Sequence, residues 1–170
     1  LYIGPGIELN PLMAGGTGSN SSDLELPTTL PDRYESGTHN IPGIAGLKAG
    51  VDFVRATGIA TIRAREARLV DQLVSGLGSL PKVRLLVPSA NRQRGGIVSF
   101  TVDGMDPGVI GFLLDREHDI CVRAGLHCAP EAHRTIGTYP EGTVRVSPGW
   151  FTSDDDIATF IAAVSALVRP

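Results

Sequence analysis

Residues 123–130 read Arg123-Ala124-Gly125-Leu126-His127-Cys128-Ala129-Pro130, and reactive side chains crowd together there more than anywhere else in the chain. A cysteine is ordinarily a small buried apolar residue. The surroundings of Cys128 are instead polar, glycine-containing and irregular, with His127 adjacent and Arg123 and His133 close in sequence. The thiolate, not the thiol, is the nucleophile, and cationic neighbours raise its share. Cys128 is therefore the candidate nucleophile and His127 a candidate acid or base. Cys121, between Ile120 and Val122, has apolar neighbours and is expected to pack in a core. A non-catalytic binding module holding a metal on Cys121, His127, Cys128 and His133 is the alternative of another class. Those four residues lack a C-x-x-C pair or other recognised ligand spacing, so no metal is expected.

The elements that must position this stretch follow from periodicity. Residues 4–42 are rich in Gly, Pro, Ser, Thr and Asn, and 15–22 read as a flexible loop or as backbone that must approach another group closely. A helical pattern over 42–58 puts Ile44, Leu47, Val51 and Val54 on one face. It resumes through Ile62, Leu69, Leu73 and Leu77, with a bend expected near Gly58. Strands are predicted over 83–87, 96–102, 120–123 and 143–147, and the second alternates Val98, Phe100 and Val102 against Ile97, Ser99 and Thr101. Asp106-Pro107 opens a helix carrying Val109, Ile110, Leu113 and Leu114. A loop is expected from Ala124 to Gly142, a length that in a compact domain is usually functional or disordered. Ser153 caps a last helix with Asp154, Asp155 and Asp156 in its first turn and Ile157, Phe160, Ile161, Val164 and Leu167 on its apolar face. The pattern predicts a mostly antiparallel sheet flanked by helices, an α+β domain.

Bulk properties narrow the function classes. The chain has 170 residues, 42% hydrophobic, with a formal net charge of −3. Its basic residues are scattered, so nucleic acid is not an expected partner. No apolar run approaches the roughly 20 residues of a membrane span. Two cysteines do not make a disulfide framework, and a reducing compartment, the cytoplasm, is expected. Leu1-Tyr2-Ile3 reads like the end of a strand, so the chain is expected to begin inside a domain.

Three segments together carry a resemblance. They are 123–130, then Ala132-His133-Arg134-Thr135-Ile136-Gly137-Thr138, then Gly142-Thr143-Val144-Arg145-Val146-Ser147. With residues 31–47 (Pro31-Asp32-Arg33-Tyr34-Glu35-Ser36-Gly37-Thr38 and onward), they resemble the class-V aminotransferase family, most closely its cysteine desulfurase branch. The resemblance runs over essentially the whole chain. It implies an α/β fold, the C-terminal portion of a fold-type-I transferase dependent on pyridoxal 5'-phosphate (PLP). Residues 1–42 would be a remnant of the PLP-binding large domain with its interface loop, 43–80 a long connecting helix, and 81–170 an α+β small domain.

The family's chemistry implies roles for particular residues. PLP acts as an electron sink for the substrate L-cysteine. Cys128 matches the nucleophile that takes sulfur as a persulfide and leaves L-alanine, later passing the sulfur to an acceptor protein. Arg145 matches the arginine that pairs with the substrate carboxylate, which its planar fork suits. Thr38 matches a residue that reaches the PLP phosphate of a homodimer partner, and Gly16 and Thr17 resemble the glycine-rich segment near that shared site. Selenocysteine cleavage, transamination and other β-eliminations on the same scaffold remain alternatives. The family's Schiff-base lysine follows a histidine upstream of residue 1, and neither Lys48 nor Lys82 follows a histidine. The chain by itself is therefore expected to be inactive.

Overall fold

The computed structural model describes residues 2–19, 22–87 and 94–169. The chain folds as two compact units, residues 1–54 and 55–170.

The first unit is mainly irregular. Its regular pieces are a single 3-10 turn, Asp32–Tyr34, and most of helix α1, Ile41–Thr57. Tyr2 and Ile3 are not in a strand, and Leu1 lies outside the described residues, as do Asn20 and Ser21 of the glycine-rich segment. The Tyr34 hydroxyl ties the turn to the preceding chain, donating to the Leu9 carbonyl at 2.8 Å and accepting from the Leu9 N–H at 3.1 Å. The apolar face expected to bury α1 does not do so. Ile44, Leu47, Val51 and Val54 are all exposed, Leu47 at 69%. The spacing gave the helix correctly; it could not supply a surface for that face to pack on.

The second unit holds the core. Gly58, at φ 85°, ends α1 and opens α2, Ile59–Gly78, so the expected bend is a break between two helices. Helix α2 buries Leu69, Val70, Leu73 and Leu77. Strands β1 (Val83–Leu85), β2 (Val98–Val102), β3 (Arg123–Gly125) and β4 (Thr143–Val146) form one antiparallel sheet in the order β1-β2-β4-β3. Along β2 the buried residues are Val98, Phe100 and Val102, as the period-2 alternation requires. Helix α3, Pro107–His118, begins on an Asp106 cap that accepts from the Gly108 and Val109 N–H groups. Helix α5, Asp154–Val168, starts on a complete Ser153–Asp156 capping box. Its Asp154 is held by Arg68 and Gln72 of α2, which lower its carboxyl to about 2. The buried faces of α2, α3 and α5 close over Phe100, Val98 and Val144 to make one core.

Three expectations near the reactive stretch do not hold. The third strand starts at Arg123, not Ile120, because the Ile120 N–H is used in closing α3, donating to the Leu114 carbonyl at 3.0 Å. Cys121 is exposed rather than packed. Ile120 and Val122 both pack against the core, while Cys121 between them faces outward. Its sulfur meets Asp115 Oδ1 at 3.6 Å. The span 124–142 is also not one loop: it contains the end of β3 and a seven-residue helix α4, Pro130–Ile136, with Pro130 at its first position and Gly137, at φ 72°, after its last.

Candidate active site

In the second unit the sheet edge builds the site. Strands β3 and β4 pair so that Arg123 faces Arg145 and Gly125 faces Thr143. Beyond Gly125 the chain leaves the sheet, and His127 and Cys128 both take left-handed backbone, at φ 53° and 60°. Each non-glycine residue in that region costs about 1–2 kcal/mol. Such strain persists only where surrounding contacts over-determine it.

Those contacts can be named. His127 Nε2 bonds the Thr143 hydroxyl at 3.0 Å, and the His127 ring lies 5.5 Å from that of His133. His133 is buried and shares a 2.7 Å bond between Nδ1 and the Thr138 hydroxyl, itself buried. Gly142, at φ 84°, lets β4 begin directly against Gly125: a Cβ there would overlap the Gly125 backbone. This arrangement leaves Cys128 exposed, with Arg123 Nη2 donating to its sulfur at 3.4 Å.

The electrostatics follow from the geometry. Burial, first of all, pushes the His127 imidazole below its ordinary range; the charges of Arg145, His133 and Arg123 add to this. His127 is thus a neutral ring at neutral pH and not one of the cations beside the thiol. Its Nδ1 is buried and meets no partner among the described residues, so the ring presents no free nitrogen to solvent for proton transfer. Arg145, between Arg123 and Ser99 in the sheet register, also has a buried Nε without a partner among the described residues. Such a group is costly until an acceptor meets it, and a carboxylate is the acceptor that a guanidinium fork fits best.

The residues assigned to the cofactor phosphate lie in the first unit. The Gly37 N–H donates to the Gly16 carbonyl at 2.8 Å, which brings the 15–17 segment and the turn before Thr38 together. Thr38 is exposed, and the Thr17 hydroxyl is engaged with that of Ser19 at 2.8 Å. A cleft of about 430 Å³ is lined by Gly15, Gly16 and Thr17, with Asp23 and Glu25 against Arg33 and without Thr38. Two carboxylates against one guanidinium do not suit a phosphate dianion. Neither lysine fits a Schiff base, which needs an amine shielded enough to shed its proton. Lys48 is exposed and paired with Asp52 at 2.5 Å, and Lys82 is exposed before β1. These residues do not compose a PLP site by themselves.

The sequence reading singled out Cys128, Arg123, His127, His133 and Arg145, and the second unit holds all five. It missed Thr143. A threonine opening a strand directly after a glycine was the available signal, but only the β3–β4 register shows that its hydroxyl sits within reach of His127.

Comparison with known proteins adds the context. Residues 4–160 match the family described as Aminotransferase class-V. A probable cysteine desulfurase of Pyrococcus abyssi is 36% identical over 163 residues, which is 94% of this chain and 39% of that protein. The cysteine desulfurase of Synechococcus elongatus is 35% identical over 151 residues, 86% of this chain and 23% of its own length. The apo cysteine desulfurase of Thermococcus onnurineus superposes with a TM-score of 0.81 at 34% identity, covering 93% of this chain and 39% of that structure. The chain thus spans about two fifths or less of these relatives.

Proposed function

This chain belongs to the class-V aminotransferase family, and from that premise we propose that it is the C-terminal part of a PLP-dependent cysteine desulfurase. Cys128 takes sulfur from L-cysteine and L-alanine is released. One observation carries the reading: an exposed cysteine on a strained loop, its sulfur held by Arg123, with a second arginine directly across the sheet whose buried Nε has no partner among the described residues.

The chain's own residues would work as follows. Arg145 binds the substrate carboxylate and so fixes the direction in which its thiol reaches. The Cys128 thiolate attacks the substrate sulfur. A sulfur–sulfur bond forms as the carbon–sulfur bond breaks, so that protein thiol and L-cysteine become protein persulfide and L-alanine. Arg123 hydrogen-bonds the attacking sulfur. PLP, held through a lysine outside residues 1–170, would supply the electron sink that the reaction needs. Because Cys128 is exposed, its persulfide can meet an acceptor protein. Residues 1–42 contribute to the large domain and its interface loop, where Thr38 reaches the phosphate of a homodimer partner; 43–80 connect; 81–170 form the small domain. Among the described residues no helix is long and apolar enough to cross a membrane, and the reading places the enzyme in the cytoplasm.

Transamination, selenocysteine cleavage and other β-eliminations fit the scaffold equally, but need no exposed thiol held by an arginine as Cys128 is by Arg123. No cluster of three or more His, Cys, Asp or Glu that could hold a metal is found among the described residues. The test incubates a longer protein carrying this chain with L-cysteine and follows alanine and the mass of the Cys128 peptide. Alanine with a sulfur adduct on Cys128 supports the reading; alanine without it, or pyruvate, moves the protein to the alternatives.

A further inference from the structure

Resting on the reading of Cys128 as the working thiol, we propose that Thr143 and His127 form an anchor that positions Cys128, and that His127 serves by holding the loop rather than by moving a proton. Both ring nitrogens argue this. Nε2 is committed to the Thr143 hydroxyl, which is only 1% exposed in β4, and Nδ1 is buried away from solvent. The ring packs beside His133, which is fixed in turn by Thr138, so two histidines and two threonines form a polar layer beneath the loop. Above that layer the backbone of His127 and Cys128 is held left-handed, where neither residue rests unaided. The anchor reaches from the strand residue opposite Gly125 to the residue just before Cys128. It therefore fixes where Cys128 leaves the fold, and with it the approach of the sulfur to Arg123.

The consequence is read from the thiol itself, without cofactor. The chain carries two cysteines, so Cys121→Ser leaves Cys128 as the one thiol. Its alkylation rates with iodoacetate, an anion, and iodoacetamide, a neutral reagent, give a ratio that reports the guanidinium at the sulfur. Arg123→Gln should lower the ratio about three- to fivefold, the worth of one exposed charge contact. Thr143→Val should lower it as far while Arg123 is still present, and Thr143→Ser should restore it. His127→Asn is the second loss variant: asparagine tolerates left-handed backbone but is too short to reach Thr143. A ratio unchanged in Thr143→Val and His127→Asn, even with a lower melting temperature, would overturn the anchor, because a merely structural bond moves stability and leaves the ratio alone. A ratio insensitive to Arg123→Gln would instead remove the Arg123–Cys128 contact on which the proposed function stands. That separates the two failures.

Discussion

Arg123 and Arg145 stand directly opposite each other across the β3–β4 ladder. Like charges in that position are destabilising, so each guanidinium needs an acceptor. Arg123 has the Cys128 sulfur; the Arg145 Nε has none among the described residues. On the proposed function, Arg145 is the partner of the substrate carboxylate and Arg123 that of the Cys128 sulfur.

Arg145→Lys should therefore cost more than its kept charge suggests, because an ammonium cannot pair with a carboxylate in two parallel bonds. The expected loss is about 2–4 kcal/mol of transition-state stabilisation, measured as kcat/KM for L-cysteine in the longer enzyme. An unchanged kcat/KM would make Arg145 a purely structural member of the sheet.

Cys128→Ala should abolish alanine release from L-cysteine and the persulfide together, while absorbance of the bound cofactor persists. Full turnover in this variant would remove Cys128 from the reaction.

Thr38 yields a test of assembly. If it serves the neighbouring subunit, mixing an enzyme lacking the cofactor lysine with one disabled at Thr38 should restore about a quarter of wild-type activity in randomly exchanged dimers. A mixture that stays inactive despite proven exchange would assign Thr38 to its own subunit.

The pH dependence of stability follows from His127, whose pKa in the fold lies below the ordinary value of 6.5. The unfolded chain then binds more protons than the folded one, so stability falls as pH drops below 6.5 and levels off only beneath the folded value. The charged form would face Arg145, Arg123 and His133. Urea unfolding at stepped pH should show this slope, and His127→Asn should flatten it; an identical slope in the variant would place the titration elsewhere.

Much of the second unit was legible because its signals are local and repeated. Leu69, Leu73 and Leu77 recur at helical spacing, Val98, Phe100 and Val102 alternate, and Ser153 with Asp156 writes a cap into four residues. Helix α4 was not legible, since seven residues scarcely establish a period. Cys121 was misread by its neighbours' character when their parity was the better guide. The apolar face of α1 shows the other limit: Ile44 and Leu47 report that a surface wants covering, and nothing local says by what. In the site, the residue types at Cys128 and Arg145 could be read from sequence and resemblance. The Thr143–His127 bond could not, because it depends on a strand register between distant segments.

The close passage of Gly142 over Gly125 has a consequence for how the site can evolve. Every replacement at 142 brings a Cβ into the Gly125 backbone and must also adopt φ 84°. No neighbouring side chain can yield to relieve it, because the obstruction is main chain. In a saturation library position 142 should therefore be closed to all substitutions. Gly149, past the far end of the same strand, meets nothing within 4 Å and should accept small residues freely. The sequence space open to the Cys128 loop is thus bounded by a residue that has no side chain of its own.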